Sequence, residues 1–110
     1  MTTYEKTLSE PWFTLLKLGI KTVEGRQNKG DFLDMNIGDF IIFKNNELGF
    51  IREFKIEIKH ISFYYNFETY LENETLSCCL PGIDTNDQGL QVYQKYYPKT
   101  DQYMIKAFRF

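Results

Sequence analysis

The chain has 110 residues, of which 43% are hydrophobic and 17% aromatic, and its formal net charge is −2. This length fits one domain spanning residues 1–110, and the composition excludes intrinsic disorder. The sequence has no apolar run of about 18 residues that could cross a membrane, and its small negative charge is not typical of a protein that binds nucleic-acid phosphates strongly.

The first predicted elements are a short strand at residues 4–8 and a helix that begins near Ser9, which is a suitable N-cap. The apolar residues of this helix repeat at helical spacing, at Trp12, Leu15 and Leu16. Gly19 is the expected residue just beyond its end. We expect Trp12 to anchor the helix on a sheet, and the alternative is a place in the wall of a pocket.

A dense group of charged residues follows this helix, at Lys21, Glu24 and Arg26. In a regular strand Lys21 would point away from Glu24 and Arg26, so a shared site requires a turn near Lys21. Lysine and arginine can bind phosphate or carbonyl oxygens, and a glutamate can accept a hydrogen bond from a base or move a proton. The alternative is a surface ion-pair cluster beside a turn.

The remaining elements do not alternate between strand and helix. Strands are predicted at residues 40–43, 54–58 and 103–110, and two helices begin after Asn66 and Thr85, each of which can act as an N-cap. This order favours an α+β domain, with a small mixed or antiparallel β-barrel flanked by about three short helices.

The sequence offers little for metal or thiol chemistry. Cys78 and Cys79 are neighbours and cannot staple a fold, so we expect reduced thiols and a cytoplasmic location. His60 is the single histidine, and without a second histidine or spaced cysteines we expect no metal and no cofactor.

Aromatic rings and basic side chains are interleaved towards the C-terminus, a composition that suits single-stranded RNA. We expect Tyr93 and Tyr97, four residues apart, to cover the core. Tyr96 faces another direction and is the better candidate for stacking on a base. The basic residues of this region are Lys95, Lys99, Lys106 and Arg109.

Residues 19–26 carry the pattern Gly-x-Lys-x-x-Glu-x-Arg and resemble the motif of the ASCH domain family. The matching residues are Gly19, Lys21, Glu24 and Arg26. Pro11-Trp12-Phe13 before the motif and Gly38-Asp39 after it also resemble the family, and the resemblance extends from Leu8 to the C-terminus. It implies a PUA-like β-barrel with a cleft that binds RNA, a nucleotide or a modified nucleoside.

The resemblance also implies a set of functional residues. The expected ligand-binding residues are Trp12, Lys21, Thr22, Glu24, Arg26 and Tyr96. One branch of the family hydrolyses N4-acetylcytidine and other members are reported as ribonucleases; Glu24 replaces the threonine of that branch. If the chain is such an enzyme, Lys21, Glu24 and Glu74 are its expected catalytic residues, with Glu72 as the alternative carboxylate. A protein–protein adaptor is a third possibility. For a binding site, Lys21→Ala and Glu24→Ala are expected to keep the fold and lose the ligand.

Overall fold

The computed structural model describes residues 1–98 and 102–110, so Lys99 of the C-terminal basic group lies outside the described residues. The elements of the described residues are, in chain order, β1 (Thr3–Thr7), α1 (Trp12–Lys17), β2 (Val23–Gln27), a 3₁₀ helix (Gly30–Asp34), β3 (Phe40–Asn45), β4 (Arg52–Glu57), β5 (His60–Tyr64), α2 (Phe67–Glu74), α3 (Leu76–Cys79), α4 (Asn86–Tyr96) and β6 (Ile105–Arg109). Within these ranges, none of the helices has the length and apolar character needed to span a bilayer.

The strands form two three-stranded sheets, in the orders β1-β3-β4 and β2-β6-β5. β1 runs parallel to β3, and the other neighbouring strands are antiparallel. The predicted α+β class is confirmed, but the predicted closed barrel is wrong. In the described residues the strand ladder does not continue from one sheet to the other. Side chains connect the two sheets instead: the ring of Phe43 in β3 lies 5.9 Å from that of Phe110, edge to face, and Arg26 of β2 donates to the carbonyl of Thr7 in β1.

Helix ends follow the local signals in the sequence, with one exception. The side chain of Asn66 accepts from the N–H of Thr69 at the start of α2, and Thr85 opens α4 with a capping box. Ser9 was expected to cap α1, but this prediction is wrong. The carboxylate of Glu10 accepts from the N–H of Thr14 at 2.9 Å in the first turn of α1.

Four elements were not predicted: β2, the 3₁₀ helix, β5 and α3. β5 is paired along its length with β6, and α3 is a four-residue helix that follows α2 after Thr75, whose φ is +72°. The described residues therefore contain four α-helices, against about three expected. α2 packs across β2, where Gly25 makes room for the fully buried ring of Tyr70.

Candidate functional site

A cleft of about 320 Å³ lies between the end of β1, helix α1, strand β2 and helix α4. Its charged lining residues are Lys21, Glu24 and Arg26, and its aromatic lining residues are Trp12, Tyr93, Tyr96 and Tyr97. The cleft therefore combines charged groups at the start of β2 and within it with aromatic rings from α1 and from the C-terminal part of α4.

The turn after α1 brings Lys21 to the cleft. Gly19 has a φ of +78°, which favours glycine, and the N–H groups of Ile20 and Lys21 both donate to the carbonyl of Leu15 at 3.0 Å. β2 begins only after Lys21, so the alternation of strand side chains does not separate Lys21 from Glu24. Gly19, which ends α1, thus also allows the side chains of Lys21 and Glu24 to meet at the cleft.

The three charged side chains of the motif converge. The Nζ atom of Lys21 lies 3.1 Å from Oε1 of Glu24, and Nε of Arg26 donates to Oε2 of Glu24 at 2.7 Å. Each carboxylate oxygen thus faces a different cation, and these charged groups form one cluster rather than dispersing over the surface.

Lys21 is almost completely enclosed, with 1% of its side chain exposed. Besides Glu24, its ammonium group donates to the carbonyl oxygens of Val23 and Cys79. A lysine ammonium has three N–H donors, and these three acceptors account for them. Lys21 therefore orients Glu24 and ties β2 to the end of α3, and it has no further donor for a ligand.

Glu24 is an ionised acceptor at neutral pH. Burial acts to raise its pKa, but the charges of Lys21 and Arg26 outweigh that effect and bring the pKa below its ordinary value. A carboxylate offers about four acceptor positions, and the two cations occupy two of them. A group in the cleft that faces Glu24 must therefore donate hydrogen bonds.

Arg26 is oriented by Glu24, Thr7 and Tyr97 and keeps further donors. Its Nη2 donates to the carbonyl of Thr7 at 3.0 Å, its Nε donates to Glu24, and the guanidinium is also hydrogen-bonded to the hydroxyl of Tyr97, which leaves two of the five N–H donors of a guanidinium. Burial acts to lower the pKa of Arg26, but Glu24 raises it above its usual range. Arg26 can therefore donate to a carbonyl or phosphate oxygen in the cleft.

The aromatic walls serve the core and the cleft together. Tyr93 stacks on Phe67 at 4.2 Å, and Tyr97 stacks on the same ring at 5.3 Å, which agrees with the core role expected for them. Both also line the cleft, a role that their i, i+4 spacing does not reveal. Trp12 likewise belongs to the core cluster and lines the cleft.

Tyr96 is the most open of these rings, with 49% of the residue exposed. It lines the cleft and its hydroxyl is 2.8 Å from Oγ of Ser9. This bond joins the C-terminal part of α4 to the segment before α1, so the ring is held at the edge of the cleft.

Two expected site residues lie elsewhere. Thr22 is exposed and does not belong to the cleft lining of the described residues; its N–H donates to the carbonyl of Cys78. The carboxylate of Glu74 accepts from Nε of Arg109 at 2.8 Å and from the hydroxyl of Tyr64, also outside that lining. Glu72, the alternative carboxylate, is exposed.

The backbone groups that organise the cleft have no signal in the sequence. The carbonyl of Thr7 orients Arg26, and those of Val23 and Cys79 hold Lys21. Every residue carries a carbonyl, so no residue type signals this role. Gly19 differs, because its residue type indicates the turn that brings Lys21 to the cleft.

The other reactive side chains of the described residues do not form a metal site. In the described part of the chain, no group of three or more His, Cys, Asp or Glu residues is placed to hold a metal ion. His60 is exposed and lies 3.2 Å from the hydroxyl of Ser62. Cys78 and Cys79 are free thiols, and burial raises the pKa of Cys79 to about 11.

Comparisons with known proteins agree with this architecture. The family model described as the ASCH domain matches residues 7–110. The crystal structure of hypothetical protein PH0355 has a TM-score of 0.84 and 29% identity, covering 99% of this chain and 96% of that one. The solution NMR structure of protein PF0455 from Pyrococcus furiosus has a TM-score of 0.77 and 30% identity, covering 99% of this chain and 94% of that one. No curated protein matches this chain.

Proposed function

The chain belongs to the ASCH domain family, and we propose that its cleft binds a nucleotide-sized ligand. This ligand is a nucleobase with its attached phosphate, either in a free nucleotide or at an unpaired position of RNA. The observation that carries the proposal is the ionised, buried carboxylate of Glu24, paired with Arg26 inside a cleft that has aromatic walls.

The chemistry of the cleft matches the parts of a nucleotide. Aromatic rings stack on bases, and a carboxylate accepts from the amino group of a base. Arg26 has donors for carbonyl or phosphate oxygens. The two cations and one carboxylate leave one surplus positive charge, which suits a single anionic group. The volume of about 320 Å³ is at the small end of the range typical of small-molecule sites.

Ligand binding without catalysis is the better-supported function of this cleft. A hydrolase of modified nucleosides would need Lys21 or a second carboxylate to move a proton at the ligand. The N–H groups of Lys21 already have acceptors, and Glu74 is paired with Arg109 away from the cleft. These contacts favour a binding module over an amidohydrolase or ribonuclease.

Trp12, the single tryptophan of the chain, provides the test because it lines the cleft. Its fluorescence is followed while nucleoside monophosphates, modified nucleosides and short RNAs are added, and the mixtures are then analysed for cleavage products. We expect a saturable change in emission without products. Products that form only with the intact cleft would select the hydrolase, and no response to any ligand would overturn the proposal.

A matched pair of arginine variants shows whether the cleft is responsible. Arg26→Lys keeps the charge but loses the planar fork of donors, so we expect weaker binding. Arg109→Lys is the control, because Arg109 also pairs with a buried carboxylate, that of Glu74, but outside the cleft. Equal affinity in the two variants would argue against binding at Arg26.

A further inference from the structure

We infer that the cleft selects a base with two adjacent N–H donors on one edge, which among the standard bases is guanine; the inference rests on the proposed nucleotide binding. The selecting residues are Glu24 and Arg26, which present their polar groups to the cleft side by side.

The acceptor pair on Glu24 is the first step. Oε1 accepts from Lys21 and Oε2 from Arg26, so each oxygen keeps an acceptor position. Lys21 has acceptors for its three donors and cannot turn to the ligand. The carboxylate is therefore fixed by one cation at each oxygen, and it lines the cleft as a pair of neighbouring acceptors.

The order of groups across the cleft is the second step. Arg26 lies on the Oε2 side of Glu24 and has further N–H donors. The polar groups run donor, acceptor, acceptor from Arg26 to Oε1 of Glu24. The Watson–Crick edge of guanine runs carbonyl O6, N1–H and N2–H, which is the complementary order.

Other bases match this order of donor and acceptors less well. Adenine and cytosine each place one amino group beside a ring-nitrogen acceptor, so only one hydrogen bond to the carboxylate can form. Uracil places a carbonyl on each side of its single N–H, and these oxygens would face the carboxylate oxygens. A cationic ligand would be repelled by the surplus positive charge of Lys21 and Arg26 over Glu24.

Comparing GMP with IMP tests the inference on the unmodified protein. The two nucleotides differ only in the N2 amino group, which would donate to Glu24. We expect GMP to bind about 10- to 100-fold more tightly than IMP, AMP, CMP or UMP, the discrimination typical of a bidentate base contact. Equal affinities for GMP and IMP, or a preference for another base, would overturn the inference while leaving nucleotide binding intact.

Carboxylate variants locate the selection. Glu24→Gln keeps the shape but replaces one acceptor by a donor, so we expect the GMP-to-IMP affinity ratio to fall close to one. Glu74→Gln changes the other buried, arginine-paired carboxylate, outside the cleft, and should leave the ratio unchanged. A ratio that survives Glu24→Gln would overturn the assignment. If no nucleotide binds the unmodified protein, the proposed function and this inference both fail, a different result from loss of selectivity.

Discussion

Lys21 has the largest predicted effect on stability among the residues of the cleft. Its ammonium group is buried and is held by Glu24 and by the carbonyls of Val23 and Cys79. Lys21→Met leaves Arg26 paired with Glu24 but removes the donor from three buried acceptors, and a buried acceptor left unsatisfied costs about 1–3 kcal/mol. We therefore expect Lys21→Met to lower the free energy of unfolding by about 3 kcal/mol or more, measured by urea denaturation with circular dichroism.

A surface lysine provides the comparison. Lys44 is paired with Glu5 at 2.9 Å but is more exposed, so Lys44→Met should change the free energy of unfolding by less than about 0.5 kcal/mol. If Lys21→Met were as stable as Lys44→Met, the buried cluster would not support the fold. This expectation replaces the one drawn from sequence alone, in which a Lys21 variant keeps its fold and loses only the ligand.

The pKa of Glu24 predicts how stability depends on pH. Burial acts to raise this pKa, but Lys21 and Arg26 bring it below the ordinary value of 4.5. The unfolded chain therefore takes up the proton at a higher pH than the folded protein does, so acid favours unfolding. We expect the stabilisation from Glu24 to be complete above pH 4.5 and to be lost as the pH falls through the lower, folded-state pKa.

Two glutamate variants separate this effect from general acid denaturation. Urea unfolding is measured at neutral pH and at several pH values below 4.5. Glu24→Gln should start less stable and lose less stability on acidification, whereas Glu72→Gln, at an exposed position, should follow the unmodified protein. Parallel curves for all three proteins would show that Glu24 does not titrate as predicted.

At the level of elements, the contact between β2 and α2 leaves no room for a side chain at Gly25. A Cβ added there would lie 2.4 Å from Cζ of Tyr70, whose ring is fully buried. Relieving such overlap in a packed core typically costs about 1–3 kcal/mol. We expect Gly25→Ala to lower the free energy of unfolding by that amount, measured by urea denaturation.

A double variant checks the cause of this loss. Tyr70→Leu alone should destabilise the core, but it removes the ring that the new methyl group would strike. The combined Gly25→Ala and Tyr70→Leu variant should therefore be less destabilised than the sum of the two single changes. Strict additivity would mean that the two positions do not compete for space.

The capping box of α4 supports the helix that carries the tyrosines of the cleft. The hydroxyl of Thr85 accepts from the N–H of Gln88 at 3.2 Å, and the side chain of Gln88 accepts from the N–H of Thr85. Removing an N-cap side chain typically costs about 1 kcal/mol. We expect Thr85→Ala to lower the melting temperature by several degrees and Thr85→Ser to restore most of it. Equal melting temperatures for both variants would exclude the cap as a source of stability.

The elements that could be predicted are those with a local cause. Gly19, Asn66 and Thr85 mark helix ends through their own backbone or side-chain chemistry, and β4 shows a period of two in burial. β5 carries no comparable signal, because its place depends on pairing with β6 at the far end of the chain. α3 is too short for a helical period to show.

At the scale of the whole molecule, the sequence predicts that the charged side chains of the motif converge, but it does not predict the different role of each side chain. The sequence places Lys21, Glu24 and Arg26 within six positions directly after a predicted helix end, which is sufficient to expect a cluster. The carbonyls that engage Lys21 come from Val23 and from Cys79, and the latter lies 58 positions away in the chain. The same lack of long-range information explains why the predicted barrel is wrong. A buried strand pattern such as that of β3 fits two packed sheets as well as it fits a barrel.

The charge balance of the molecule predicts how binding depends on salt. The chain has a net charge of −2, and within the cleft the charges of Lys21 and Arg26 exceed that of Glu24 by one. Each phosphate neutralised by a protein contributes about −0.7 to −0.9 to the slope of log affinity against log salt concentration. We therefore expect a slope no steeper than about −1, both for GMP and for a short RNA with one unpaired guanine. Titrations of Trp12 fluorescence at increasing KCl measure both slopes. A slope several times steeper for the RNA would show that it contacts basic residues outside the cleft, which would contradict a site that recognises one nucleotide.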